Sequence, residues 1–351
     1  MSNVNLDAAD LDSTDEGLYG ERQLSNIVAL GGGSGLPVVL TALRRHLPPE
    51  GRITAVVTAA DDGGSSGILR AQYGVLPPGD IRNCLLALAQ VAPEVSAALQ
   101  YRFNGATGPG HPVGNLLLTA LDLVAADEVA AIRLAAGLLG VRDAVLPSTT
   151  ERVHLVAEFP DGRQVRGESR IRRRGAPIAR LRLDSPQARP APGVLEALQT
   201  ADAVILGPGS LYTSVLAALV VPGMVEAVAA VRGARIFICN LMTQPGETDG
   251  YTARQHMEIV KRYSPEIQFD FVIVNNRPIS KEQTGRYAAE GASQIGIAND
   301  DLAETTLDGE SEIVRADLLD EGDKVRHNPE RLARVAIACW EQARTRPVVV
   351  V

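Results

Sequence analysis

The stretch Asn26-Ile-Val-Ala-Leu-Gly-Gly-Gly-Ser-Gly-Leu-Pro37 decides the fold. Its apolar run, Ile27 to Leu30, stops in glycine and serine, and an apolar spacing suited to a helix then runs from Pro37 to His46. A buried strand, a glycine turn and a helix open a β-α-β unit. Glycine lets backbone N–H groups come close to a ligand, and the helix N-terminus that follows adds a potential favourable to an anion. The pattern repeats at once in Ile53-Thr-Ala-Val-Val-Thr-Ala-Ala-Asp-Asp-Gly-Gly-Ser-Ser-Gly67. Two such loops in succession point to a phosphorylated ligand.

Outward from this stretch, strand-like and helix-like pieces keep alternating. Helical spacing is read over Ile81–Gln90, Leu116–Ala126, Asp127–Leu139 and a closing Asn328–Arg344, with Trp340 in the core. Further strands are read at Ala203–Leu206, Arg235–Cys239 and Phe271–Val274. This rhythm predicts an α/β fold, a Rossmann-like three-layer core around a mostly parallel sheet. The later strands also end in polar or glycine-rich sequence: Gly207-Pro-Gly-Ser210, Asn240-Leu-Met-Thr243 and Asn275-Asn276. Ligands of open parallel sheets bind beyond the carboxyl ends of the strands, so five such ends are expected to share one crevice.

Residues 151–183 break the rhythm. Val153–Phe159 alternates, Asp161-Gly162 supplies a hairpin turn, Gln164–Ile171 reads as the returning strand and Ile178–Leu183 as another. This is a small antiparallel β insertion, dense in arginine from Arg163 to Arg182. Those arginines read either as a solvated edge that discourages strand-to-strand aggregation or as a surface for an anion or partner. Residues 1–24 are polar and acidic without periodicity, a disordered tail, and 25–345 form a single domain.

The 351 residues carry a net charge of −8, which disfavours a general nucleic-acid binder. Cys84, Cys239 and Cys339 lie far apart with no metal-ligand spacing, as suits a reducing cytoplasmic setting. No apolar run reaches membrane-spanning length and no secretory pattern opens the chain, so no membrane insertion is expected.

The first loop lacks the Lys-Ser/Thr of a P-loop, and Leu36 stands where the dinucleotide fingerprint needs its last glycine. Gly32, Gly33, Ser34 and Gly35 are its candidate phosphate contacts. In the second loop Asp61 and Asp62 admit three roles: acceptors for a ribose, holders of Mg²⁺ beside phosphate oxygens, or a local turn and cap. Gly63, Ser65 and Ser66 extend that loop. Asp80 opens a helix at a cap-like position, with Asn83 on its first turn, and Asn115 follows a His111-Pro-Val-Gly turn. Gly207, Pro208, Gly209 and Ser210 form another phosphate-type turn. Asn240 and Thr243 begin a long polar loop ending at Tyr251, whose ring stacks on a base or sugar or plugs the loop from beneath.

Taken in order, these segments resemble the YvcK/CofD family, closest to its YvcK, or gluconeogenesis factor, branch. The resemblance spans about Asn26 to Trp340. It implies a nucleotide held at the glycine loops, a cytoplasmic UDP-sugar-binding regulator (UDP-N-acetylglucosamine above all), and links to cell-envelope synthesis, cell shape, peptidoglycan and gluconeogenic carbon. By similarity Tyr251 contacts the UDP-sugar, and Arg286, in Thr284-Gly-Arg-Tyr287, is a further basic contact. The other branch implies the alternative, a 2-phospho-lactate transferase-like enzyme using Mg²⁺ at Asp61 and Asp62. Hydrolysis of the nucleotide-sugar is a variant of that alternative, with the same two acids catalytic. A homodimer and a protein partner of unknown identity complete the expectations.

Overall fold

The computed structural model describes residues 25–105, 108–296 and 311–345. The chain opens with β1 (Asn26–Gly31), α1 (Gly35–His46), β2 (Arg52–Val57), α2 (Gly64–Tyr73), α3 (Pro78–Leu88) and α4 (Pro93–Gln100). A hairpin of β3 (Arg102–Gly105) and β4 (Gly108–Pro112) leads to α5 (Val113–Val124), α6 (Glu128–Leu138) and β5 (Ala144–Pro147). The insertion holds β6 (Leu155–Glu158), β7 (Gln164–Arg166), α7 (Glu168–Arg174) and β8 (Arg180–Leu183). After α8 (Val194–Gln199) comes β9 (Ala203–Leu206), then a π-helical segment, Leu211–Leu216, that continues as Ala217–Leu219. The remainder is α9 (Met224–Ala229), β10 (Ala234–Ile238), α10 (Ala253–Tyr263), β11 (Phe271–Asn275), α11 (Lys281–Ala289), β12 (Glu312–Ala316) and α12 (Pro329–Thr345).

Seven strands pair in the order β12-β11-β10-β9-β1-β2-β5, every pair parallel. Alternate residues of the central strands feed opposite cores. Val28, Leu30, Val204 and Leu206 enter one, while Ile27, Ala29, Ala203 and Ile205 enter the other. Helices cover both faces, which is why these strands are continuous apolar runs. The fold is therefore the expected Rossmann-like three-layer α/β core, with the β7-β6-β8 sheet and the β3-β4 hairpin as small antiparallel additions.

The order places a switch point at the centre. From β1 the chain builds outward through β2 and β5, then returns to β1's other side and builds β9 to β12. Leu30 pairs with Leu206, so the loops after β1 and β9 leave the sheet side by side at the same level. A Cβ on Gly35 would lie 2.2 Å from the carbonyl oxygen of Pro208, so the two loops touch through backbone.

Several expectations are corrected. Gln164–Ile171 is not one strand: pairing stops at Arg166, Gly167 turns the chain with φ +99°, and Glu168 to Arg174 form a helix. The arginines in its last turn complement the helix dipole. Asp80 caps nothing, since the helix begins after Pro77 without a side-chain cap. Trp340 is in the core, as read. Strands β5 and β12 went unread: one is four residues ending in proline, and the other carries Glu312 and Arg315 at the sheet's edge. The tail 1–24 lies outside the described residues.

The loop contact yields a paired prediction. Gly35→Ala must push the Pro208 backbone away and should lower unfolding stability by about 1–3 kcal/mol. Gly137→Ala, on the exposed side of α6 with nothing within 4 Å of the new methyl, should be neutral or stabilising by up to ~1 kcal/mol. Urea denaturation of the two variants checks this.

Candidate functional site

A crevice of about 740 Å³ lies over the carboxyl ends of β1, β2, β9 and β10. Its floor is backbone: Gly33, Ser34 and Gly35 from the first loop, Gly63 and Gly64 from the second, and Pro208, Gly209 and Ser210 from the third. Helices α1 and α2 start on this floor, and neither Ser34 nor Gly63 makes a side-chain cap. Their first-turn N–H groups are therefore left for a ligand, and both helix dipoles favour an anion there.

Side chains brace the floor. Asn240 grips Gly209 from both sides, its Oδ1 accepting from the N–H at 3.0 Å and its Nδ2 donating to the carbonyl at 2.7 Å. Gln244 donates to Ser210 Oγ at 2.7 Å. Gly33 donates its N–H to Asp80 Oδ2 at 2.6 Å, so Asp80 reaches from α3 to hold the first loop.

One wall is acidic. Asp61, Asp80 and Glu168 line it, and Glu247 stands behind it at 2% exposure. Burial pushes the Asp80 carboxyl up to about 6, against the lowering pull of the Gly33 hydrogen bond. Burial pushes Glu168 up to about 9, helped by the charges of Asp61 and Asp80. Burial also raises Asp61, and takes Glu247 to about 7. At pH 7 Glu168 is thus protonated, a neutral hydrogen-bond donor that does not repel an anionic ligand. Arg172, on the next turn of α7, lines the crevice, with its guanidinium 3.7 Å from Glu168 Oε1 and 3.5 Å from Glu247 Oε1. The opposite end is more apolar, with Val38, Leu241, Met242, Tyr287 and Val325, beside Arg326 and a buried His327 held neutral by a pKa lowered to about 4.

Of the residues expected at a ligand, Gly33, Ser34, Gly35, Gly63, Pro208, Gly209, Ser210, Asn240, Thr243 and Asp61 line this crevice. The rest lie outside its lining. Gly32 and Gly207 are packed into their loops, where an added Cβ would meet Thr58 at 2.6 Å and the Ile238 carbonyl at 2.8 Å. Ser66 accepts the Gly79 N–H. Ser65, Asn83 and Asn115 join Arg82 and His111 in a polar network beneath the second loop: Asn115 donates to Ser65 Oγ at 2.9 Å, and both asparagine carbonyls accept from Arg82. Tyr251 packs against the core with its hydroxyl 3.2 Å from that of Tyr212. Arg286 lines a separate cavity and donates to the Asp323 carbonyl.

The Asp61/Asp62 pair diverges. Asp61 accepts the Gly63 N–H at 2.8 Å and faces the crevice, whereas Asp62 accepts the Ser169 N–H at 2.8 Å and ties the insertion to the second loop. No group of three or more His, Cys, Asp or Glu among the described residues is placed to hold a metal. Magnesium takes one or two carboxylates plus phosphate oxygens, a donor set that Asp61 and Asp80 fit beside the glycine loops. Glu168, Glu247 and Gln244 were not singled out from sequence. The cue available was acid and amide placed beside glycine or within an arginine run.

Fold and site together define a class: a doubly wound α/β protein with an anion-type crevice at its switch point. Residues 27–319 match the family described as 2-phospho-L-lactate transferase CofD, and the chain belongs to that YvcK/CofD family. It is 40% identical over 317 residues to the gluconeogenesis factor of Bacillus subtilis, covering 90% of this chain and 98% of that protein. It is 39% identical over 313 residues to that of Halalkalibacterium halodurans, covering 89% and 95%. A crystal structure of a upf0052 family member from Bacillus halodurans matches with a TM-score of 0.84 at 37% identity, covering 90% of this chain and 100% of that one. No helix among the described residues is long and apolar enough to cross a membrane.

Glu168 supplies a pH prediction. Its carboxyl, near 4.5 in the open chain, is pushed up to about 9 by burial when folded. The folded state therefore holds an extra proton between those limits, and stability falls as pH rises through them. Glu168→Gln removes this slope. In scanning calorimetry its unfolding midpoint should equal that of the wild type near pH 4 and exceed it at pH 8.5.

Proposed function

We propose that this protein is a cytoplasmic regulator that binds a UDP-sugar, UDP-N-acetylglucosamine above all, and links its level to gluconeogenic carbon use and cell-envelope synthesis. One observation carries the reading: two glycine loops leave paired residues of adjacent central strands and touch, and with the loop after β2 they give one backbone floor beneath two uncapped helix starts. A diphosphate spans such a floor, with one phosphate over each loop. A crevice of about 740 Å³ also suits a ligand of nucleotide-sugar size. The apolar end around Met242 and Tyr287 suits a base. The acid wall suits sugar hydroxyls, which donate to Asp61 and Asp80 and accept from protonated Glu168. The relatives named gluconeogenesis factor support the regulatory side. When Mg²⁺ is bound it neutralises phosphate charge, and Asp61 with Asp80 would hold it.

A second reading, a phospho-ligand transferase or nucleotide-sugar hydrolase, is favoured by Asp80. A carboxyl near 6 inside a phosphate-type crevice is close to the value a general base needs at neutral pH. The matched family's description points the same way.

Titration calorimetry with UDP-N-acetylglucosamine separates these readings. Wild type should bind, and Asn240→Ala, which frees Gly209, should weaken binding by about tenfold or more, as loss of two braced hydrogen bonds implies. Absence of binding by wild type defeats the UDP-sugar reading. Steady product formation from the UDP-sugar, or from a guanosine-linked lactate donor with a deazaflavin, moves the assignment to the enzyme.

A further inference from the structure

One side chain at the apolar end of the crevice holds neither its floor nor its acid wall. His327 lines that end beside Leu241, Met242, Tyr287 and Val325. Its backbone is clamped. A β-bridge pairs it with Leu319, and the next residue, Asn328, donates its N–H to the Leu318 carbonyl. Asn328 also caps α12, its Oδ1 accepting the Arg331 N–H at 3.0 Å. His327 itself is 8% exposed. Its ring is hydrogen-bonded to the backbone of Cys239, the residue that follows β10. That bond favours the charged imidazole, so it is a ring N–H given to a carbonyl. The other nitrogen, Nε2, is buried and has no hydrogen-bond partner among the described residues.

These contacts fix the tautomer. Nδ1 carries the proton and gives it to Cys239, burial keeps the ring neutral, and Nε2 is left as a bare acceptor. An acceptor without a partner costs stability in an apolar wall, and a leucine or phenylalanine would pack there without that cost. Nε2 therefore calls for a donor that arrives with the ligand.

We propose that His327 reads the base of the bound nucleotide, its Nε2 accepting a ring lactam N–H, that of uracil N3 or guanine N1. The inference rests on the nucleotide reading above and deepens it. Uracil and guanine present this N–H with a carbonyl beside it. Cytosine and adenine present an unprotonated ring nitrogen at the same place, which would set two acceptors against each other. Arg326, the preceding residue, lines the same end and carries only donors, which suits the flanking carbonyl oxygen. A glutamine at this position would turn its amide to serve either kind of base. The imidazole, locked by Cys239, offers the acceptor alone.

Titration calorimetry on the full chain near neutral pH tests the proposal, with UDP, GDP, CDP, ADP and the N3-methyl-UDP and N1-methyl-GDP analogues. Wild type should bind UDP or GDP at least ~tenfold more tightly than CDP and ADP, and the tighter of the two identifies the base. Methylating its lactam nitrogen, which leaves the phosphates intact, should cost at least ~tenfold. His327→Phe should bind UDP, GDP and CDP within about threefold of one another, and His327→Gln should gain affinity for CDP. A wild type that binds UDP, GDP and CDP alike, or tolerates the methyl group, overturns the assignment and leaves the nucleotide reading standing. So does a His327→Phe protein that keeps the wild-type preference. Absence of binding by every nucleotide defeats both. The wild-type series decides even where His327→Phe does not fold.

Discussion

Gly35 and the carbonyl of Pro208 leave no room for a side chain between them, and the crevice depends on that contact. The two loops belong to halves of the chain whose strands join the sheet where β1 pairs with β9. Hydrogen bonds from Asn240 and Asp80 then fix Gly209 and Gly33, so the floor is rigid although it is built from the least restrained residue type. A backbone surface of this kind is indifferent to sequence detail and recognises what all phosphates share. Discrimination between ligands has to come from the walls.

Those walls are arranged around a conflict. Carboxylates beside a phosphate floor would repel the ligand that the floor attracts. Burial resolves it by raising the carboxyls, most of all Glu168, so that proton uptake replaces charge. Arg172 supplies positive charge to the same wall and is shared between Glu168 and Glu247 instead of belonging to either. The insertion contributes both Glu168 and Arg172, so a segment outside the central sheet carries much of the site's chemistry. Its anchor is Asp62, whose carboxylate takes the Ser169 N–H.

The central architecture was legible because it rests on local pattern. Apolar runs ending in glycine revealed β1, β2, β9, β10 and β11 and three of the loops that make the floor. What failed was long-range or two-sided. Asp80 reads as a helix cap because nothing local points to Gly33, 47 residues away. Asp61 and Asp62 look equivalent in sequence yet face different partners. The arginine run looked like a strand edge, because a short helix with one buried residue, Ile171, has no apolar period to detect. Tyr251 carries the family motif but sits among core side chains beside Tyr212, a placement that depends on the neighbouring π-helical segment.

The pairing of β1 with β9 has a consequence for biosynthesis. Asn26 and Asp202, which close the base of that pair through a hydrogen bond, are 176 residues apart. At elongation rates of about 5–20 residues per second, β1 leaves the ribosome roughly 10 to 35 s before its inner neighbour exists. During that interval β1, destined for the middle of the sheet, is an uncovered apolar edge with β2 on one side only. The nascent chain is then most open to mispairing and most in need of a chaperone, well before any ligand site has formed.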